Sequence, residues 1–285
     1  MRHVNELLAS AREVGFADLD AIRKLAREAV VLKPQVSSDV SHLGSRLGGL
    51  PALPASVLWP QRGGRSLAFI AQIDLSAQPQ IEAEEGLPGE GLLSFFYDAE
   101  QSSWGFDPKD VGSFSVIYVP RLSSASVVAN WPKELPEHAR YRPCALASDT
   151  TVTLPPWESV LISDLNLNEE QLHKYQALLE KLGGDDAWSS RGLLCGYPDQ
   201  IQGDMMLECA LVNAGLYCGN ATAYKDPRLL VFRAHAHQWR MLLQVPSTEA
   251  AGMMWGDCGC LYYWLREDDL RARRFDRAWM ILQCG

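Results

Sequence analysis

The sequence predicts an α+β fold: mixed or antiparallel sheets from two related half-units, the product of an internal duplication, with an N-terminal helical layer. Three observations lead there. One order of segments occurs twice: LAFIAQIDL (67–75) and RMLLQVPS (240–247) are apolar runs of strand type, each interrupted by a single glutamine, Gln72 and Gln244. Each is followed by a Gly-led aromatic run, GLLSFFY (91–97) and GCLYYWL (259–265), and then by a third strand, FSVIYV (114–119) and AWMILQ (278–283). A Gly-containing loop ending in proline precedes each set, GGLP (48–51) and GYP (196–198). Clear helical periodicity lies outside these sets.

Taken in order, residues 3–14 and 18–29 read as helices. Leu7, Leu8 and Val14 fall on a helical pattern, Asp18 supplies a cap, and Ile22, Leu25 and Ala29 form the second apolar stripe. Pro34 ends this region, and the Gly- and Pro-rich stretch from Ser41 to Pro60 reads as an ordered loop. Strands follow at 67–75, 91–97 and 114–119. Pro132, Pro136, Pro143, Pro155 and Pro156 then divide the chain into short pieces, with one strand near 150–154. Asn168 caps a helix over 169–182, with Leu172, Tyr175, Leu178, Leu179 and Leu182 on one face, and Gly183-Gly184 stops it. Beyond Cys195 the chain reads as loop and then strands. Glu267, Asp268 and Asp269 followed by Arg271, Arg273, Arg274 and Arg277 place acid before base, as a short solvated helix prefers. The whole chain, 1–285, is one domain: helices over 1–40, a first half-unit over 41–120, a connecting segment with a helix over 121–190, and a second half-unit over 191–285. A groove between two equivalent halves is the expected place for a site.

Composition narrows the functional classes. With 47% hydrophobic and 21% charged residues, the chain has the make-up of a folded globular protein. No run approaches the ~18 apolar residues of a membrane span, and MRHVNELLAS lacks the apolar core and cleavage site of a signal peptide. Seven cysteines, an odd number, then read as reduced cytoplasmic thiols. The net charge of −9 is uneven: residues 41–120 hold four basic and nine acidic residues, and 121–190 hold six and ten, while the two ends balance. Such a body repels phosphate backbones, so nucleic acid is not an expected partner; it steers a basic protein toward itself.

The stretches SRLGGLPALPASVLWP (45–60), LAFIAQIDL (67–75), LPGEGLLSFFYD (87–98), GYPDQIQGDM (196–205) and 239–284, ending WGDCGCLYYWLREDDLRARRFDRAWMILQC, together resemble the YwqG-like family of bacterial proteins, a domain-of-unknown-function family. The resemblance spans about 40 to 285. It implies an α+β fold with mixed or antiparallel sheets, a cytosolic location, a bacterial source and no established activity. Some members are encoded near toxin–immunity loci, which implies a protein-binding role. The chain departs from the family where a His often precedes the Gly-Tyr/His-Pro turn: here the segment is Arg191-Gly192-Leu193-Leu194-Cys195, and a role resting on that His is in doubt. Cys258 and Cys260 flank Gly259 where other small residues are common.

Candidate chemistry is sparse. His235-x-His237 and Cys258-x-Cys260 make a zinc site only if adjacent strands bring them together, and neither spacing is a usual zinc spacing, so no metal or other cofactor is expected. No GxSxG elbow is present. Ser45 with His42 reads as a loop coincidence, and Cys195 has no activating His in its own segment. The glycines of LGSRLGGLP neither follow a strand nor open a helix, which excludes a phosphate loop. Asp74, Asp204 and Asp257 stand in polar turns, either as turn chemistry or as an acid/base pair. Trp59, Trp104 and Trp255 border Pro or Gly, as groove-lining or sheet-plugging residues alike. The groove therefore has nine candidates: Trp59, Gln72, Asp74, Trp104, Gln202, Asp204, Gln244, Trp255 and Asp257. The leading expectation is a noncatalytic, immunity-like or regulatory protein that sequesters a basic protein. The alternative is a hydrolase using Asp74, Asp204 and Asp257 beside Gln72 and Gln202. A small-molecule ligand stays open.

Overall fold

The structure, a computed structural model, describes residues 2–35, 40–81, 86–120, 127–128, 130–183 and 191–285. The first part of the chain forms α1 (Arg2–Glu13), α2 (Leu19–Leu25), β1 (Arg27–Gln35), β2 (Arg46–Leu47), β3 (Ala52–Leu53), β4 (Gln61–Arg62), β5 (Arg65–Ser66), β6 (Ala68–Asp74), β7 (Leu92–Tyr97), β8 (Phe114–Val119) and β9 (Val127–Val128). The second part forms β10 (Cys144–Thr153), α3 (Val160–Ser163), α4 (Glu169–Gly183), β11 (Gly192–Leu194), α5 (Met205–Asn213), α6 (Leu229–Ala236), β12 (Trp239–Pro246), β13 (Cys260–Arg266), α7 (Glu267–Arg271) and β14 (Trp279–Gln283).

Ten strands make one sheet in the order β14-β13-β12-β11-β1-β10-β2-β6-β7-β8. Every pairing in it is antiparallel. The sheet curls until its two ends meet. The Phe95 ring of β7 lies 5.0 Å from Tyr263 of β13, and Phe114 of β8 lies 4.9 Å from Trp279 of β14. Tyr263 Oη donates to Phe96 O at 3.2 Å. Closure by aromatic contacts buries the edges that an open sheet would leave for aggregation. The loop between β7 and β8 completes it: Leu282 N donates to Trp104 O (3.0 Å) and Trp279 Nε1 to Gly105 O (2.8 Å).

The centre of the sheet corrects the reading of residues 18–29 as one helix. The helix ends at Leu25, Ala26 turns to extended backbone, and Arg27–Gln35 becomes the strand that pairs with β10 on one side and β11 on the other. Ile22 and Leu25 lie on α2, but Ala29 falls in the strand, where Val30, Val31 and Leu32 follow it, and pairing on both sides outweighs weak helix propensity. The region beyond Cys195 is corrected as well: α5 and α6 intervene before β12. α1 and α2 pack with α4 over the far end of β10. Leu7, Leu8, Phe16 and Ile22 share a buried cluster there with Tyr175, Leu178, Val152 and Leu154.

The two Gln-bearing strands behave alike. Gln72 and Gln244 are fully buried. Gln72 Oε1 accepts from Ala52 N (2.9 Å), and its Nε2 donates to Gly44 O (3.1 Å) and His42 O (3.0 Å). Gln244 Oε1 accepts from Asp199 N (2.8 Å), and its Nε2 donates to Arg191 O (2.9 Å). In both cases the donor N–H follows the loop proline, Pro51 or Pro198. Each Gln strand also carries a register shift against its aromatic neighbour, between Phe69 and Ala71 and between Met241 and Leu243. Each glutamine thus satisfies loop backbone groups that have no water to turn to. Gln72→Leu and Gln244→Leu are each expected to cost about 1–3 kcal/mol, because each leaves a buried N–H orphaned. Urea unfolding measures both, and a loss below about 0.5 kcal/mol in either denies that role.

Candidate functional site

The nine groove candidates do not converge. Gln72 and Gln244 are structural, as described. Asp74 ends β6 and accepts from Ser76 N (3.0 Å) and Ser76 Oγ (2.6 Å). Asp257 is exposed in the turn between β12 and β13. Asp204 caps α5: its Oδ1 accepts from Met206 N (3.0 Å) and its Oδ2 from Val160 N (2.9 Å). The three acids therefore stand in three separate turns. Trp255 is fully buried against Tyr97 and Tyr141. Trp59 donates Nε1 to Leu67 O (2.9 Å) and packs on Phe96, so both tryptophans plug the sheet. Trp104 and Gln202 are the two candidates that share a cleft.

The metal possibility fails at its premise of two adjacent strands. His235 lies on α6, where Nδ1 contacts Val231 O at 2.7 Å, and His237 at the end of that helix sits 3.1 Å from Asp164. Cys258 is exposed in a turn and Cys260 is buried on β13. Among the described residues no group of three or more His, Cys, Asp or Glu side chains is placed to hold a metal ion.

The shared cleft measures about 630 Å³. Two elements form its walls. One is the loop between β7 and β8, with Trp104, Phe106, Asp107 and Asp110; the other is α5 and the segment after it, with Glu208, Tyr217, Cys218 and Tyr224. The walls are stitched together where Cys218 N donates to Phe106 O at 2.9 Å. The first wall holds its shape through carboxylates. Asp107 accepts from Lys109 N (2.9 Å), and Asp110 Oδ2 accepts from Gly105 N (2.8 Å). Trp104, Tyr217 and Tyr224 are 39%, 49% and 37% exposed and rim the opening. No Lys, Arg or His is among the described residues that line it.

Glu208 is the group that sequence reasoning missed. It is 6% exposed. Its Oε1 accepts from Tyr224 Oη at 3.5 Å, and its Oε2 has no hydrogen-bond partner among the described residues. Burial, with Asp204 and Glu158 adding like charge, pushes its carboxyl up to about 8, and the Tyr224 hydroxyl pulls weakly the other way. Burial and the same carboxyl push the Cys218 thiol up to about 12, which leaves it protonated and unreactive. Gly203, with φ +43°, lets the chain pass over Glu208: a Cβ there would stand 3.0 Å from Oε1. The one available signal was MMLECALVN, an apolar segment with a single charge in its middle. An acid that remains in such a segment after folding has an unusual partner or an unusual charge state.

Fold and site together define an α+β protein whose ten-stranded antiparallel sheet is curled nearly shut, with an open acidic cleft rimmed by aromatic rings. The chain belongs to the domain of unknown function family DUF1963, whose model matches residues 45–284 and so takes in the whole cleft. No curated protein matches the sequence. No helix among the described residues is long and apolar enough to cross a membrane.

Proposed function

We propose that this chain is a noncatalytic binding protein that captures a basic protein partner at the Trp104–Glu208 cleft. The carrying observation is the lining: Asp107, Asp110 and Glu208 with three exposed aromatic rings and no basic side chain among the described residues. Acid recruits a cation, and aromatic faces hold it and its aliphatic stem. An immunity-like or regulatory role in the bacterial cytoplasm fits that chemistry, and so does membership of the YwqG-like branch suggested by the segments quoted above. The hydrolase reading has less support, since both Asp204 oxygens are engaged by backbone N–H groups. The acidic excess over 41–190 is a coarser guide; Glu82, Glu84, Glu85, Asp185 and Asp186, which contribute to it, lie outside the described residues.

We also read the two strand sets as the products of a duplication. The matched glutamine bonds and register shifts support this. So do the paired left-handed loop residues, Gly48-Gly49 and Cys195-Gly196, and the contact of Phe95 with Tyr263 across the curl. Equal losses from the two Gln→Leu variants are expected on this reading; losses differing by more than about 2 kcal/mol would speak against it.

Affinity purification from the native host tests the binding role. Wild-type protein is expected to retain a basic partner at low salt and release it as salt rises. A Trp104→Ala/Asp107→Asn variant, which keeps a capping side chain at 107, is expected to lose it. Retention by the variant, or a captured partner of acidic charge, sinks the proposal.

A further inference from the structure

Resting on that binding role, we infer that the cleft takes one primary alkylammonium group, the side chain of a lysine on the partner, and that this ammonium displaces the proton of Glu208. The geometry selects the ligand. Glu208 Oε1 already receives Tyr224 Oη, while Oε2 is buried and has no hydrogen-bond partner among the described residues. A guanidinium needs two free oxygens for its parallel bonds, whereas an ammonium is a compact donor that one oxygen satisfies. Trp104, Tyr217 and Tyr224 at the rim suit the four-carbon stem of lysine.

The proton balance is simple. Free protein holds Glu208 as the neutral acid. The alkylammonium enters carrying its own charge, the carboxyl O–H bond breaks, the resulting carboxylate accepts from the ammonium, and one proton leaves to solvent. The surroundings favour the neutral acid in the free state. Asp204 at the head of α5 and Glu158 ahead of α3 both raise its proton affinity. Tyr224, Cys209 and Cys218 pack round it as neutral groups, and Asp107 and Asp110 stand on the opposite wall. Arg233 of α6 acts on Asp204.

Calorimetry on the full chain at pH 7 tests this, in two buffers of different ionisation enthalpy. The titrants are Nα-acetyl-lysine methylamide, Nα-acetyl-arginine methylamide and cadaverine, each to about 20 mM, above the millimolar dissociation constants expected of so small a ligand. The lysine amide is expected to bind with release of close to one proton, and the arginine amide at least about fivefold more weakly. Glu208→Gln is expected to weaken the lysine amide at least about tenfold and to abolish the proton release. Trp104→Ala, which leaves Glu208 in place, is expected to weaken binding about threefold or more while proton release persists. No binding to folded wild-type protein, binding without proton release, or unchanged affinity in Glu208→Gln overturns the inference. Cadaverine binding more than tenfold tighter than the lysine amide overturns the lysine assignment in favour of a free polyamine. A partner captured by affinity purification whose binding ignores Glu208→Gln leaves the binding role standing and removes this inference. Lysine amide binding with no partner captured does the reverse.

Discussion

Gly105→Ala is expected to lose about 3–5 kcal/mol of stability and, with it, the cleft. The residue has φ +85°, and a Cβ placed there would stand 1.9 Å from Met280 O and 3.0 Å from the Ile281 Cα. Those are backbone atoms of β14, flanked by β13, so the strand cannot step aside. The loop between β7 and β8 must lift instead. Lifting breaks the bonds from Trp279 Nε1 to Gly105 O and from Leu282 N to Trp104 O. Two buried hydrogen bonds at ~1–2 kcal/mol each, added to ~1 kcal/mol for a non-glycine residue in the left-handed region, give the expected range. Gly112 supplies the control. It has the same φ of +85°, but its nearest neighbour to an added Cβ is Arg62 Cγ at 4.0 Å. Gly112→Ala is therefore expected to cost only the conformational part, about 1 kcal/mol. Urea unfolding of the two variants side by side is the measurement. Equal losses would mean that the loop is not pinned against β14.

Glu208→Gln is expected to make the protein more stable at pH 7, by roughly 3 kcal/mol, while weakening the lysine amide binding inferred above. The sign follows from where the proton sits. In the unfolded chain this carboxyl titrates near its ordinary value of 4.5; folded, it holds its proton up to about 8. The folded state is therefore fully favoured by this group below pH 4.5. It loses that advantage progressively as pH rises toward 8, because the unfolded chain gives up a proton that the folded chain keeps. Glutamine has no proton to lose, so the variant lacks this decline. Unfolding free energies measured from pH 5 to pH 9 should converge at the acid end and separate as pH rises. Parallel curves would show that Glu208 is already ionised in the folded protein. The native residue therefore carries a cost at neutral pH that glutamine does not.

Much of the framework was legible because it rests on local pattern. The helix over 169–182 is found as Glu169–Gly183, and the strands read at 67–75, 91–97 and 114–119 are found as Ala68–Asp74, Leu92–Tyr97 and Phe114–Val119. Asn168 and Asp204 act as local caps, as short polar side chains beside a helix start do. What failed was set by distant partners. Arg27–Gln35 carries a run of apolar residues that suits helix or strand, and β10 and β11 decide in favour of strand. Within Met205–Asn213 every residue but the last is buried, and apart from Glu208 the buried residues are apolar all round, so the segment lacks the one-sided stripe by which a helix is recognised.

The site divides along the same line. Trp104 and Gln202 were singled out because polar or aromatic residues beside turns are available for recognition, and they do share the cleft. Trp255 has the same local signature, Gly256 beside it, yet it is fully buried. The difference is what each indole meets: Trp255 is packed between Tyr97 and Tyr141, and Trp104 stands at the sheet's closing seam. By itself the sequence determined an α+β chain with mixed or antiparallel sheets, several of its strands and its turn residues, because hydrophobic period and turn residues act over a few positions. Only the tertiary structure decided which strand lies at the centre, that the sheet curls until its ends touch, and that Glu208 is a buried acid lining a cleft, its carboxyl pushed up by that burial. Burial and the electrostatics that follow from it are sums over residues far apart in the chain, and no local window contains them.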